Sequence, residues 1–240
     1  FAKEFTVEDF DSNLLNEYKS KLNFQGEVFD LLVKRNLAVL KESVYNFKNA
    51  AILLFAKDPE KYIASASARY VRYEGLEALT GSTHNVVKDE RFENNIPRLI
   101  DTIKSFLKVS VKDYYFLNIE TGKFVKVPEY PEDAWLEAIV NALCHRSYNV
   151  QGNSVYIKHF DDRLEISNSG PLPAQVSIEN IKTERFARNP RIARVLEDMG
   201  YVRQLNEGVA RIYESMENPC CLCQNIQKRM EMFIWYYETK

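Results

Sequence analysis

The chain has 240 residues, of which 45% are hydrophobic and 28% charged, and its formal net charge is −2. Such a composition is that of an ordinary globular protein, one large domain or two small ones, and it argues against a chain that coats nucleic acid through bulk positive charge. No apolar run approaches membrane-spanning length, and the opening FAKEFTVEDFDSN does not read as a signal peptide.

Residues 7–22 and 26–34 read as two amphipathic helices without a catalytic constellation. Residues 37–48 are expected to be helical. Residues 49–56 (NAAILLFA) form a continuous apolar run that reads as a buried strand, broken by Lys57-Asp58-Pro59. Ser67–Tyr73 alternates and reads as a second strand, ended by Gly75, whereas residues 76–91 show little pattern and read as a loop. Apolar residues at helical spacing predict a long helix over residues 92–109, with Pro97 near its start. Residues 112–120 and 122–127 flank Thr121-Gly122 and read as a hairpin. A soft boundary near Val111 divides the chain into an N-terminal helix and strand segment, 1–110, and a second unit, 111–240.

The most informative stretch follows. A helix is expected to open at Pro131, with Glu132 and Asp133 in the first turn where the helix dipole favours negative charge. From Ala134 to Cys144 it is apolar almost all round, interrupted by Glu137 and Asn141, with His145 next in the same register. Positions four apart stack along one face, so these three form a narrow polar line. That line is either the wet side of an amphipathic helix or a face turned toward an enclosed ligand. Residues 154–160 and 163–168 alternate across Asp161-Asp162 and read as a hairpin, followed by the breaker-rich turn Asn168-Ser169-Gly170-Pro171-Leu172-Pro173.

Downstream, Arg188-Asn189-Pro190 can start a helix through Met199, with Asn189 as its cap, Pro190 at its first position and Gly200 past its end. Residues 206–216 are expected to form another helix, and the aromatic stretch 229–239 a final strand. The arginines from Arg185 to Arg211 are interspersed with acids and read as a solvated face rather than a DNA-binding surface. Three of the four cysteines, Cys220, Cys221 and Cys223, are crowded together; with Cys144 they suggest a reduced, cytoplasmic setting. Three ligands fall short of a structural zinc site, so free thiols are expected. His84 and His159 read as structural.

The run Glu137-Ala-Ile-Val-Asn141-Ala-Leu-Cys-His145-Arg146-Ser-Tyr148, with DDRLEISNSGPLP, Arg188-Asn189-Pro190 and Glu207-Gly208-Val-Ala-Arg211-Ile212, resembles the C-terminal domain of bacterial transcriptional regulators labelled RecG-like helicases. Those proteins pair it with an N-terminal Schlafen/AlbA-type DNA-binding domain, which is not visible here, so the chain is expected to be a fragment or a truncated relative. The resemblance covers most of residues 36–217. No P-loop signature is present, so the helicase label does not describe its chemistry. The domain is similar in turn to the GHKL ATPases. The resemblance therefore implies an α+β fold of Bergerat type, a mixed sheet layered with helices plus an N-terminal α/β segment, that binds ATP and Mg²⁺.

Carried over by position, Asn141 holds Mg²⁺ between phosphates, Glu137 activates the hydrolytic water, and His145 and Arg146 end the helix near the phosphates. Asn168 stands where the family's adenine-reading Asp stands, followed by Gly170. Gly208 and Arg211 fall in the phosphate lid. An Asn in place of Asp and a lid with a single Gly imply weak or absent hydrolysis. The other implied reading is a nucleotide-free regulatory or dimerisation module of a DNA-binding protein. DNA contact would come through a domain absent from this chain, and a homodimer is plausible for a regulator.

Overall fold

The computed structural model describes residues 5–170 and 187–201, together with the backbone of residues 231–237. Two short helices, α1 (Ser12–Lys21) and α2 (Val28–Lys34), lead into a hairpin of β1 (Ala38–Lys41) and β2 (Val44–Phe47) and then a third helix, α3 (Asn49–Phe55). Here the structure departs from the periodicity twice. The expected helix over residues 37–48 is a hairpin, because Glu42 and Ser43 both adopt left-handed backbone (φ 48° and 66°), and a two-residue turn of that kind joins twisted strands well. The expected strand at 49–56 is a helix buried on nearly every side, from Ala51 to Phe55. A short apolar run fits either element; its Asn-Ala-Ala start and its packing against neighbouring helices decide for the helix.

β3 (Ser67–Tyr73) follows, and the expected loop at 76–91 gives way to β4 (Val86–Glu93), which pairs antiparallel with it. β4 is exposed along most of its length, so it carries no apolar alternation for periodicity to detect. α4 (Ile96–Ser110) starts at Asn95, whose side chain accepts from the Arg98 N–H at 3.2 Å, with Pro97 in the first turn where a missing N–H is harmless. It buries Ile96, Leu99, Ile100, Ile103 and Leu107 on one stripe. The hairpin β5 (Asp113–Asn118) and β6 (Lys123–Pro128) lies as expected, and then comes α5 (Glu132–His145).

β7 (Val155–His159) and β8 (Arg163–Ser169) form the second expected hairpin. Its turn is held where the Phe160 N–H donates to the Arg163 carbonyl and the Asp161 carboxylate takes the Gly75 N–H and the Arg72 guanidinium. α6 (Pro190–Asp198) and β9 (Glu231–Tyr237) complete the described elements. The main sheet runs β4-β3-β7-β8-β9, with β3 parallel to β7, β8 parallel to β9 and the other pairs antiparallel. It takes two strands from before Val111 and three from after it. α4 and α5 cover one face, where Ala68, Tyr70, Val155, Ile157, Leu164 and Ile166 point inward. Each such aliphatic side chain taken out of water contributes about 1.5–3 kcal/mol. The result is the α+β architecture of a mixed sheet layered with helices.

A polar cluster lies within this core. His159 is held between Tyr70, whose hydroxyl is 2.8 Å from Nδ1, and Glu129, whose carboxylate is 3.7 Å from Nε2; all three are buried. Among the described residues no helix is long and apolar enough to cross a membrane, and no group of three or more metal-ligating side chains is gathered.

Candidate functional site

α5 begins after Pro131 with Glu132 and Asp133 in its first turn, and Lys104 and Lys108 of α4 lie 3.7 and 2.9 Å from the Glu132 carboxylate. Its apolar surface, from Ala134 and Trp135 to Leu143 and Cys144, is buried against α4 and β8. Burial pushes the Cys144 thiol up to about 12, so it stays protonated and inert at neutral pH. The polar line is real and only half-buried: Asn141 Nδ2 donates to Glu137 Oε1 at 3.3 Å, one turn back along the same face. This contact fixes the amide so that its oxygen, the harder ligand atom, points away from the carboxylate.

The far end of α5 shows how the site is assembled. A helix leaves its last four carbonyls without intrahelical partners, and α5 has no glycine to close them. Side chains from three separate places supply the donors instead. Asn168 Nδ2 donates to the Ala142 carbonyl at 2.8 Å, the Tyr148 hydroxyl to the Leu143 carbonyl at 2.8 Å, and Asn189 Nδ2 to the Cys144 and Arg146 carbonyls at 2.8 Å each. Asn189 thus occupies the cap position of α6, as its sequence suggests, but caps α5 rather than its own helix.

Asn168 is 3% exposed, and with its amide donating to Ala142, its Oδ1 is a buried acceptor without a hydrogen-bond partner among the described residues. Two residues on, Gly170 has φ +121°, a conformation that side chains rarely tolerate. A Cβ there would also come within 2.6 Å of Arg188 Nη1 and 2.9 Å of Ser147 Cβ. The Ser147 N–H donates to the Ser169 carbonyl at 2.9 Å, stitching the end of β8 to the end of α5.

Of the sequence-predicted residues, Glu137 and Asn141 therefore touch each other, and Asn168 touches the same helix at Ala142, the residue next to Asn141. Gly170 lies against Arg188, whose charge, after burial, helps hold the His145 imidazole below its ordinary pKa and so neutral at pH 7. Arg146 is fully buried; its guanidinium donates to the backbone carbonyls of Ser147, Val150 and Asn153, organising the loop between α5 and β7. Gly208, Arg211 and the three clustered cysteines lie outside the described residues, as does the expected helix at 206–216. Arg188, Asn189 and Tyr148 carry more of the site than the sequence reading assigned them. Arg188 in particular is half-buried while its neighbours Arg191 and Arg194 are exposed, a distinction that a run of arginines does not display.

No curated protein matches the chain. A crystal structure of the DIP2311 protein from Corynebacterium diphtheriae is similar, with a TM-score of 0.67 and 21% identity over 89% of this chain; the match spans 41% of the DIP2311 chain, and it speaks for the fold alone. Residues 152–233 match the family model described as "Putative ATP-dependent DNA helicase recG C-terminal". The match begins beyond the end of α5, so Asn168, Gly170 and Arg188 lie within it and Glu137 and Asn141 before it. Residues 152–233 are thus similar to the RecG C-terminal, ATPase-like domain that the motifs of this chain resemble.

Proposed function

We propose that the residues gathered where α5, the end of β8 and the start of α6 meet bind ATP with Mg²⁺, with little or no hydrolysis. The observation that carries this reading is the buried Oδ1 of Asn168, which has no hydrogen-bond partner among the described residues. A buried acceptor without a donor costs about 1–3 kcal/mol, and an exocyclic amino group such as that of adenine would relieve it. The usual objection to Asn in place of Asp is its pair of N–H donors, and the Ala142 carbonyl takes one of them here. Gly170 supports the reading too, because a bare Cα lets a ligand approach the turn closely.

In this reading Asn141 offers its amide oxygen to Mg²⁺, which takes oxygen ligands and keeps several waters, while Glu137 both orients that amide and stands as the base for an attacking water. The metal, when bound, supplies charge neutralisation between phosphates. His145, held neutral, adds no repulsion toward a cation. Gly208 and Arg211 belong to the reading through the family resemblance, as backbone donors and charge of a phosphate lid. The wider role is a transcriptional regulator in the bacterial cytoplasm, acting on DNA through a Schlafen-type domain outside this chain.

A second reading has its own observation. Asn168, Tyr148 and Asn189 together close the carbonyls of α5, which is sufficient reason for a fold to keep them without any nucleotide. The module would then serve regulation or dimerisation. Calorimetry separates the two: titration of MgATP into the protein and into Asn141→Ala should give binding that weakens in the variant. Silence from the unsubstituted protein at millimolar nucleotide would end the first reading and leave the second.

A further inference from the structure

We propose that the outer face of the β5–β6 hairpin docks a second copy of this chain. Among the described residues β5 and β6 pair only with each other, outside the main sheet. Their register sets Tyr115 opposite Lys126 and Leu117 opposite Phe124, so these four share one face, with Ile119 just past the end of β5. The other face is already occupied: Tyr114 packs on the core and Val127 is buried. An antiparallel hairpin with one buried face ordinarily turns polar side chains outward. Here Tyr115 is 64% exposed, Leu117 50%, Ile119 90% and Phe124 73%. An exposed apolar patch of this kind marks an interaction surface.

The hairpin is also held ready. At its root the Glu129 N–H donates to the Lys112 carbonyl at 2.8 Å, and the Lys112 N–H donates to the Glu129 carboxylate at 3.0 Å. A face fixed in advance loses little entropy on docking. The occupant follows from the pattern of the face, which is its own complement under a two-fold axis. With that axis across the Leu117–Phe124 pair and the two faces stacked about 10 Å apart, each of these side chains meets its own copy. Tyr115 and Ile119, two positions either side of Leu117, then meet each other. The charges match as well. Lys126 stands toward the root and Glu120 in the exposed turn, and the same axis brings the turn of one copy beside the root of the other. An ammonium has three N–H donors, so Lys126 serves both its own Asp113, 2.8 Å away, and Glu120 of the second copy. Lys123, opposite Asn118, belongs to the other face and does not oppose this pairing.

The test is sedimentation velocity over a concentration series, without nucleotide, on the unsubstituted protein, Leu117→Glu, Phe124→Glu, Glu120→Lys and, as a control on an exposed apolar residue elsewhere, Val44→Glu. The parent should form dimers. Leu117→Glu and Phe124→Glu each set like charges against each other at the axis and should weaken the dimer by at least about tenfold, whereas Val44→Glu should stay within about twofold of the parent. Glu120→Lys, in an exposed turn where it does not threaten the fold, should weaken the dimer by about threefold to tenfold, and more so at low salt. A parent that stays monomeric up to about 1 mM would overturn the proposal and give the face to a partner of another sequence. A dimer that withstands both Leu117→Glu and Phe124→Glu, one that Val44→Glu weakens equally, or one that Glu120→Lys leaves at parental strength would overturn it too. No nucleotide enters the measurement, so none of these outcomes decides the site at the end of α5.

Discussion

The side-chain amide of Asn168, at the end of β8, donates to the main-chain carbonyl of Ala142, in the last turn of α5, at 2.8 Å. Asp, the residue of the wider ATPase group, would bring a carboxylate against that carbonyl. Asn168→Asp should therefore destabilise the fold by about 1–3 kcal/mol at neutral pH, through a lost bond and a buried charge. The defect should shrink as the pH is lowered, because a protonated carboxyl regains an O–H donor for Ala142. Urea denaturation at pH 7 and pH 5 checks both; a loss of equal size at the two pH values would speak against it.

Asn189 is expected to be as important to α5 as to its own helix. Asn189→Ala removes two hydrogen bonds from the Cys144 and Arg146 carbonyls and should cost about 1–3 kcal/mol. The more telling measurement is hydrogen exchange. Amides in the last turn of α5 should lose protection in the variant, although they lie more than forty residues away in sequence.

The buried Glu129 carboxylate gives a pH prediction. Burial raises its pKa, but His159 and the Lys112 N–H, 3.0 Å away, outweigh that and hold it below the ordinary value for Glu. A carboxylate lowered in this way stabilises the fold above the unfolded value of about 4.3, and the contribution is lost as the pH falls through the lower folded value. Glu129→Gln should reduce stability at pH 7 by about 1–3 kcal/mol and flatten the acid limb of the stability curve. An acid limb of unchanged slope would show that other groups govern it.

The β1–β2 turn places two non-glycine residues in left-handed backbone, Glu42 and Ser43. Replacing the pair by Asn-Gly should raise stability by up to about 1 kcal/mol, because both residues enter that region at little steric cost. Thermal melts of the double variant against the parent provide the comparison.

How far the sequence shows the fold depends on which force dominates locally. α4 and α5 carry long apolar stripes, so the sequence reading places both within a few residues: α5 starts directly after Pro131, whereas α4 is placed four residues early, past the cap at Asn95 that the reading passes over. The β7–β8 hairpin is equally legible, since one face is buried and the other is not. α3 is not, because seven apolar residues in a row have no wet face and so no period. β4 fails for the opposite reason, having almost no buried face. For the site, the pairing of Glu137 with Asn141 follows from helical spacing alone. That Asn168, Tyr148 and Asn189 meet at the last turn of α5 does not, because each serves a main-chain carbonyl, and a carbonyl leaves no mark in the residue letters. The sequence likewise cannot separate Arg188 from Arg191 and Arg194, which differ only in what they face.

α6 is fastened at both ends. Asn189 holds its start to α5, while at its finish Asp198 accepts from the Tyr18 hydroxyl at 2.7 Å and pairs with Arg35 at 3.0 Å, and Lys21 donates to the Met199 carbonyl. A strut fixed in this way transmits displacement rather than absorbing it. The start of α6, at the end of α5, is thereby joined through one short helix to α1 and α2, about two and a half turns away.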